Sequence, residues 1–271
     1  MARQLSDSTA STYKRLILSL GHIDLDDRDL VNEFLSKQTA NMERMYLMAI
    51  INKLKVNGDM ELLVYYQELG QKASLLDTLI RTKRSATKEE RENYMAWSDI
   101  LSLVDVRRGL KNKDVHSHMI YVLLSLYTLL PPQRGQVYYN CYIDKDVDNS
   151  NMIDTIQKKL IIKQHKTMRT YGSISLDIPD ELNTILLEWT PNCIDNRLLS
   201  TVRGKEVSGT SFTNLMYIIF GKKISTDMIR KIYVTEKLKS IRSLAEREKL
   251  ANDMGHSVVM QEFMYNKSDI E

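Results

Sequence analysis

The chain has 271 residues, 38 Lys and Arg against 35 Asp and Glu for a formal net charge of +3, with 43% hydrophobic and 27% charged residues. That is the composition of an ordinary globular protein, long enough for two modest domains with cores of their own, and its mild basicity does not by itself announce a nucleic-acid binder. Two cysteines, Cys141 and Cys193, exclude a disulfide framework and a Cys-x-x-Cys zinc site, so a reducing, intracellular setting is expected.

The first 80 or so residues read as helical. Ser8-Thr9 is placed to cap a helix carrying Tyr13, Leu16, Ile17 and Leu20, with Gly21 as its stop. The acidic run from Asp24 to Asp29 leads into Leu30, Val31, Phe34 and Leu35 at helical spacing, and Met42, Met45, Tyr46, Ala49, Ile50 and Ile51 form the next stripe. After Asn57-Gly58, Leu62 to Leu79 supply one or two more helices, giving a four- or five-helix bundle. The stretch from Arg81 to Arg91 is polar and basic at its start, the best linker candidate, so boundaries of 1–80, 81–93 and 94–271 are expected.

Ala96-Trp97-Ser98 opens the second part, with Ser98 as the expected cap. The longest apolar run, Met119 to Leu130, is too short to span a bilayer and ends at Pro131-Pro132, and the N-terminal residues contain no apolar signal core. Short alternating segments follow: Val137-Tyr138-Tyr139, Lys159 to Lys163 and Ser173 to Ile178. They predict a small antiparallel sheet among helices, hence a mainly α, α+β fold. Helices are expected again from Pro179 through Trp189, from Ser211 to Phe220, and once or twice between Ile229 and Leu250.

Charge is unevenly spread. Lys158, Lys159, Lys163, Lys166 and Arg169 occur with no acidic residue among them, and Lys222 to Arg247 is also richly basic. Such segments suit a phosphate backbone, although solvated faces have the same look.

Near the C-terminus, Leu250-Ala251-Asn252-Asp253-Met254-Gly255-His256-Ser257 is followed nine residues after the His by Tyr265. Upstream lie Leu129-Leu130-Pro131-Pro132-Gln133-Arg134-Gly135, then Lys166-Thr167 between two strand-like runs, then Asp227-Met228-Ile229-Arg230-Lys231. In this order the residues resemble the signature of the tyrosine recombinases and integrases. The resemblance covers the catalytic half and, more loosely, the N-terminal half as a helical core-binding domain that clamps DNA. It implies site-specific cleavage and rejoining of double-stranded DNA through a 3′-phosphotyrosyl intermediate. Tyr265 would be the nucleophile, Arg134 and Arg230 the phosphate clamp, His256 a phosphate donor and Lys166 the acid for the leaving 5′-oxygen. The Pro-Pro-Gln-Arg-Gly turn and compact length are similar to viral or mobile-element members.

The chemistry explains the residue types. Phosphodiester cleavage without metal needs a nucleophile, an acid for the leaving group and positive donors for the equatorial oxygens, and guanidinium provides planar, bidentate donors that stay charged. Position 227 departs from the pattern: the family carries His there, and an ionised Asp227 cannot donate to phosphate. It is left to orient Arg230, to accept a proton from Tyr265, or to mark a protein that binds DNA without cutting it. A type IB topoisomerase-like relaxation is the neighbouring enzymatic alternative. Additional DNA contacts are expected from Lys163, Arg169, Lys231, Arg81, Lys83 and Arg84, with a homo-oligomer (dimer or tetramer) assembled on the duplex. Singly, each residue has a plainer role: Arg230 as an ion-pair partner of Asp227 or Glu236, Tyr265 as a packed aromatic near a terminus.

Other motifs fail. Gly221-Lys222-Lys223 lacks the remainder of a phosphate-binding loop, Gly209-Thr210-Ser211 lacks the closing Gly of a nucleophile elbow, and His116 with His118 has no third ligand. No cofactor and no catalytic metal are expected.

Overall fold

The computed structural model describes residues 5, 7–57, 59–82, 85–201, 203–267 and 270, excluding the side chain of Arg81. The chain divides into two compact units, Met1–Lys83 and Arg84–Glu271.

The first unit contains α1 (Asp7–Ser19), α2 (Arg28–Ser36), α3 (Ala40–Asn57) and α4 (Met60–Arg81). Asp27 and Asp59 cap α2 and α4, each accepting a hydrogen bond from a backbone N–H three residues on. Ser8 and Thr9 are not caps, because α1 begins at Asp7 and takes both into its first turn. Gly21 follows α1 with φ +64°, the left-handed conformation that ends a helix most easily at glycine. The apolar stripes of α1 to α4 meet in one core that includes Leu16, Leu20, Val31, Leu35, Leu47, Ile50, Leu54 and Tyr66. Leu62 to Leu79 belong to one continuous helix.

The second unit opens inside the stretch read as a linker. There α5 (Lys88–Asn93) is nucleated by a capping box in which Thr87 and Glu90 satisfy each other's backbone N–H groups. Next, α6 (Trp97–Leu110) starts one residue before Ser98, so Ala96 rather than Ser98 holds the cap position. Asp114 caps α7 (Val115–Leu129), whose residues from Met119 to Tyr127 are all buried. Such a helix is surrounded, and α7 is the axis about which the large core is built.

Val137-Tyr138-Tyr139 is not a strand. It lies in α8 (Gly135–Tyr139), where Val137 and Tyr138 are buried and the Tyr138 hydroxyl accepts a hydrogen bond from the Gln133 N–H at 3.2 Å. Burial overrides the β preference of these side chains. The chain then forms β1 (Cys141–Ile143), β2 (Asn151–Asp154), β3 (Lys159–Ile162), a short α9 (Met168–Tyr171) and β4 (Ile174–Asp177). The sheet order is β1-β2-β3-β4. Its β2-β3 and β3-β4 pairings are antiparallel, but β1 and β2 run parallel, so the sheet is mixed rather than purely antiparallel. Its register sets Ile162 opposite Ile174, bounding the connection that carries Lys166.

Helices α10 (Asp180–Trp189), α11 (Gly209–Phe220), α12 (Thr226–Ser240) and α13 (Leu244–Asp253) complete the frame. A one-turn α14 (Val258–Met260) then runs into a π-helical turn, Gln261–Tyr265. The α+β class holds. Among the described residues, no helix is long and apolar enough to cross a membrane.

Candidate active site

Four consecutive residues at the end of α13, Asp253 to His256, are each held by another part of the second unit. Gln133, beside Arg134, donates its side-chain N–H to the Asp253 carbonyl and to the Pro131 carbonyl, both at 2.8 Å. Arg230 Nη2 donates to the Met254 carbonyl at 3.0 Å and contacts His256 Nδ1 at the same distance. Thr167 donates its hydroxyl to the Gly255 carbonyl at 2.9 Å. The turn therefore ties together the Arg134 segment, α12 and the β3–β4 connection.

Gly255 is required at its position on two counts. Its φ is +65°, and an added Cβ would approach Ile174 and Thr167 to 3.3 Å.

Arg230 is 1% exposed, and its guanidinium lies 4.9 Å from the centre of the Tyr265 ring. Burial pulls its pKa down, while Tyr265 works in the opposite sense; the guanidinium stays charged. Its Nε and Nη1 make no hydrogen bond among the described residues. Two buried donors on a charged group without an acceptor are costly unless an anion fills the space.

His256 is also buried. Burial, then Arg230 and Arg134, lower its pKa to about 3, against an opposing effect of Gln261. Because Arg230 can only donate, Nδ1 must accept, which places the imidazole proton on Nε2. That Nε2–H makes no hydrogen bond of ordinary geometry. The ring stacks on Tyr265 with centroids 4.7 Å apart and planes 16° apart.

Tyr265 is 5% exposed, and its ring packs in a small cluster with Tyr233, Val234, Leu238, Leu250 and Met254. Thr235 of α12 donates its hydroxyl to the Tyr265 carbonyl and accepts from the Lys267 N–H. The π-turn closes through the Asn266 N–H to the Gln261 carbonyl at 2.9 Å. This local widening is a device common at functional sites.

Arg134 precedes α8, half-buried, and makes no hydrogen bond or ion pair among the described residues. Its charge is felt by Asp227, Arg230 and His256. Asp227 lies in the first turn of α12 and pairs with Lys231 at 2.9 Å rather than with Arg230. Partial desolvation raises its pKa, but Lys231, then Arg230 and Arg134, more than offset that and hold it below the carboxylate norm.

The structure thus gathers Arg134, Asp227, Arg230, His256 and Tyr265. Lys166 is exposed on the β3–β4 connection without a contact to the others, and only its neighbour Thr167 reaches the turn. The start of that connection is organised by buried Asn151, whose Oδ1 accepts from the Lys163 and Gln164 N–H groups.

The basic run is not an open strip. Lys158, Lys159 and Lys163 pair with Asp180, Asp177 and Asp146. Lys231 is shared by Asp227 and Glu90. Arg169 is exposed and without a partner among the described residues. Lys83 and Arg84 lie outside the described residues, as does the side chain of Arg81. His118 packs edge-on against Trp189. Among the described residues no group of three or more His, Cys, Asp or Glu is placed to hold a metal ion.

Sequence reading missed Gln133, Thr235, Gln261 and Glu90. Gln133 and Gln261 stand beside or one turn from residues it did select, but nothing in their local pattern announces a buried amide.

No family model and no curated protein matches the sequence. Among solved structures, a lambda integrase dimer bound to a COC' core site is 13% identical, with the match covering 100% of this chain and 75% of that one at a TM-score of 0.59. The fold is that of the tyrosine recombinases. A lambda integrase tetramer bound to a Holliday junction matches over the same shares at 13% identity and a TM-score of 0.50. XerA recombinase is 15% identical over 98% of this chain and 89% of its own, with a TM-score of 0.48. In this fold the side chains of Gln133, Arg230 and Thr167 converge on the Asp253–His256 turn.

Proposed function

We propose that the protein is a site-specific DNA recombinase or integrase that cleaves and rejoins double-stranded DNA through Tyr265. The reading rests on one observation: buried Arg230, with two unpartnered donors, fixes His256 as an Nε2–H donor beside the Tyr265 ring. Arg134 adds a half-buried guanidinium without a partner among the described residues.

A phosphodiester would be held by Arg134, Arg230 and His256 Nε2–H. The Tyr265 oxygen attacks phosphorus and loses its proton to solvent; the bond to the 5′-oxygen breaks, and Lys166 supplies the proton that makes a 5′-hydroxyl. Attack by a 5′-hydroxyl on the 3′-phosphotyrosyl bond reverses these steps, so no external energy source enters. Neither a metal nor a cofactor has a role in this scheme. The first unit would act as the DNA clamp, with Arg81 and Lys83 as backbone contacts, while Arg84 and Arg169 would contact the backbone from the second unit. Lys163 and Lys231 would contribute only by exchanging their carboxylate partners. A homo-oligomer on DNA is the working assembly, as the lambda integrase structures with the same fold are a dimer and a tetramer on DNA.

The test is covalent trapping on nicked duplexes of randomised sequence, read on a denaturing gel. The wild type forms an adduct, Tyr265→Phe forms none while still binding DNA, and Arg230→Ala slows formation by about 10²–10³-fold. An adduct formed by the Phe variant ends the assignment of the nucleophile. Binding without an adduct by the wild type means a protein that has kept the clamp and not the chemistry.

A further inference from the structure

Asp227 stands on α12 where both Arg230, three residues on, and Lys231, four residues on, are within reach of its side chain. It takes Lys231, at 2.9 Å, and makes no ion pair with Arg230 among the described residues. Lys231 is not free to wander: its ammonium is also 2.6 Å from Glu90 on α5, and both of those side chains are largely buried, at 17% and 15% exposure. Glu90 is itself fixed by its capping-box bond to the Thr87 N–H at 2.7 Å. A chain of charges therefore runs from α5 through Lys231 to Asp227, beside the Arg134 and Arg230 guanidiniums.

An unrestrained carboxylate beside two guanidiniums that have donors to spare is drawn onto them, and there it would occupy the donors a phosphate needs. We propose that Glu90 and Lys231 form a latch that holds Asp227 away from Arg134 and Arg230, keeping the anion site open. Glu90 and Lys231 are then positioning residues: neither touches the phosphate, and both act through Asp227. The inference rests on the reading of the arginine pair as a phosphate site, and it explains how an acid is tolerated there. It also gives α5 a task, since the helix brings Glu90 to Lys231.

The test uses the full chain and inorganic phosphate as probe, followed by the NMR shift of the His256 imidazole, with circular dichroism to verify folding. Lys231→Met weakens phosphate binding by about tenfold, as a carboxylate in competition at close range requires. Glu90→Gln, a milder change, weakens it in the same direction. Asp227→Asn tightens binding, and Lys231→Met combined with Asp227→Asn restores it to the level of Asp227→Asn alone. Recovery in the double variant is what a merely structural lysine would not give.

Wild-type affinity in Lys231→Met, or a loss that Asp227→Asn does not repair, overturns the latch and leaves the anion site standing. Arg134→Ala and Arg230→Ala are the controls for the site itself. If both bind phosphate as the wild type does, the site fails and the latch fails with it.

Discussion

His256 shows how a single residue carries both electrostatics and stability. In an unfolded chain its imidazole titrates near 6.5, whereas burial, then Arg230 and Arg134, bring it to about 3 in the folded protein. Between those values the unfolded state binds the extra proton, so the contribution is complete above the unfolded pKa and is lost as pH falls through this window. The slope approaches about 1.4 kcal/mol per pH unit. Urea unfolding at pH 6.5 and pH 5, where carboxylates are still largely ionised, measures it. The wild type should lose stability over that interval and His256→Gln should lose clearly less; equal slopes would mean that His256 is not neutral and buried as described. Tyr265 makes a related point, because a phenol packed among apolar side chains looks structural until its ring is found stacked on His256 and beside Arg230.

At the scale of elements, the site depends on how closely α8 approaches its neighbours. An added Cβ at Gly135 would sit 2.8 Å from two ring carbons of Phe212 on α11 and 3.3 Å from Thr226 Cγ2 on α12. Gly135→Ala therefore forces α8 outward, and Arg134, immediately before it, moves away from Arg230. A cost of about 1–3 kcal/mol in urea unfolding is expected, together with weakened phosphate binding. Unchanged stability in that variant would show that Phe212 turns aside freely. The π-turn Gln261–Tyr265 is another such device. It places the fully buried Gln261 near His256, where the amide raises the imidazole pKa against the stronger influences that lower it.

For the whole molecule, each of the two units has a buried core of its own. Core residues of the first come from α1 to α4, and those of the second from Ala86 onward. Residues 84–271 expressed alone are expected to fold cooperatively and to bind phosphate as the full chain does, since every residue of the candidate site lies within them. They should bind duplex DNA more weakly and with a shallower salt dependence, because the phosphate contacts proposed for the first unit are gone. A fragment that fails to fold, or one that binds duplex DNA with the full chain's salt slope, would contradict that division of labour.

The sequence alone determined what local periodicity and residue chemistry control. The apolar stripes of α1 to α4, the continuous run of α7 and the alternation in β3 and β4 are short-range patterns, and burial follows from them. Arg134, Lys166, Arg230, His256 and Tyr265 could be singled out as candidates because phosphate chemistry restricts the residue types, but the sequence did not show that Arg230, His256 and Tyr265 pack together while Lys166 stays exposed apart from them. Tertiary structure decided the rest. The parallel pairing of β1 with β2 depends on contacts that short, polar strands do not advertise, and burial turned the β-favouring Val137-Tyr138-Tyr139 into helix. Whether Lys231 faces DNA or Asp227 and Glu90 is a matter of which charge lies nearest in space, and a linear pattern holds no record of that distance.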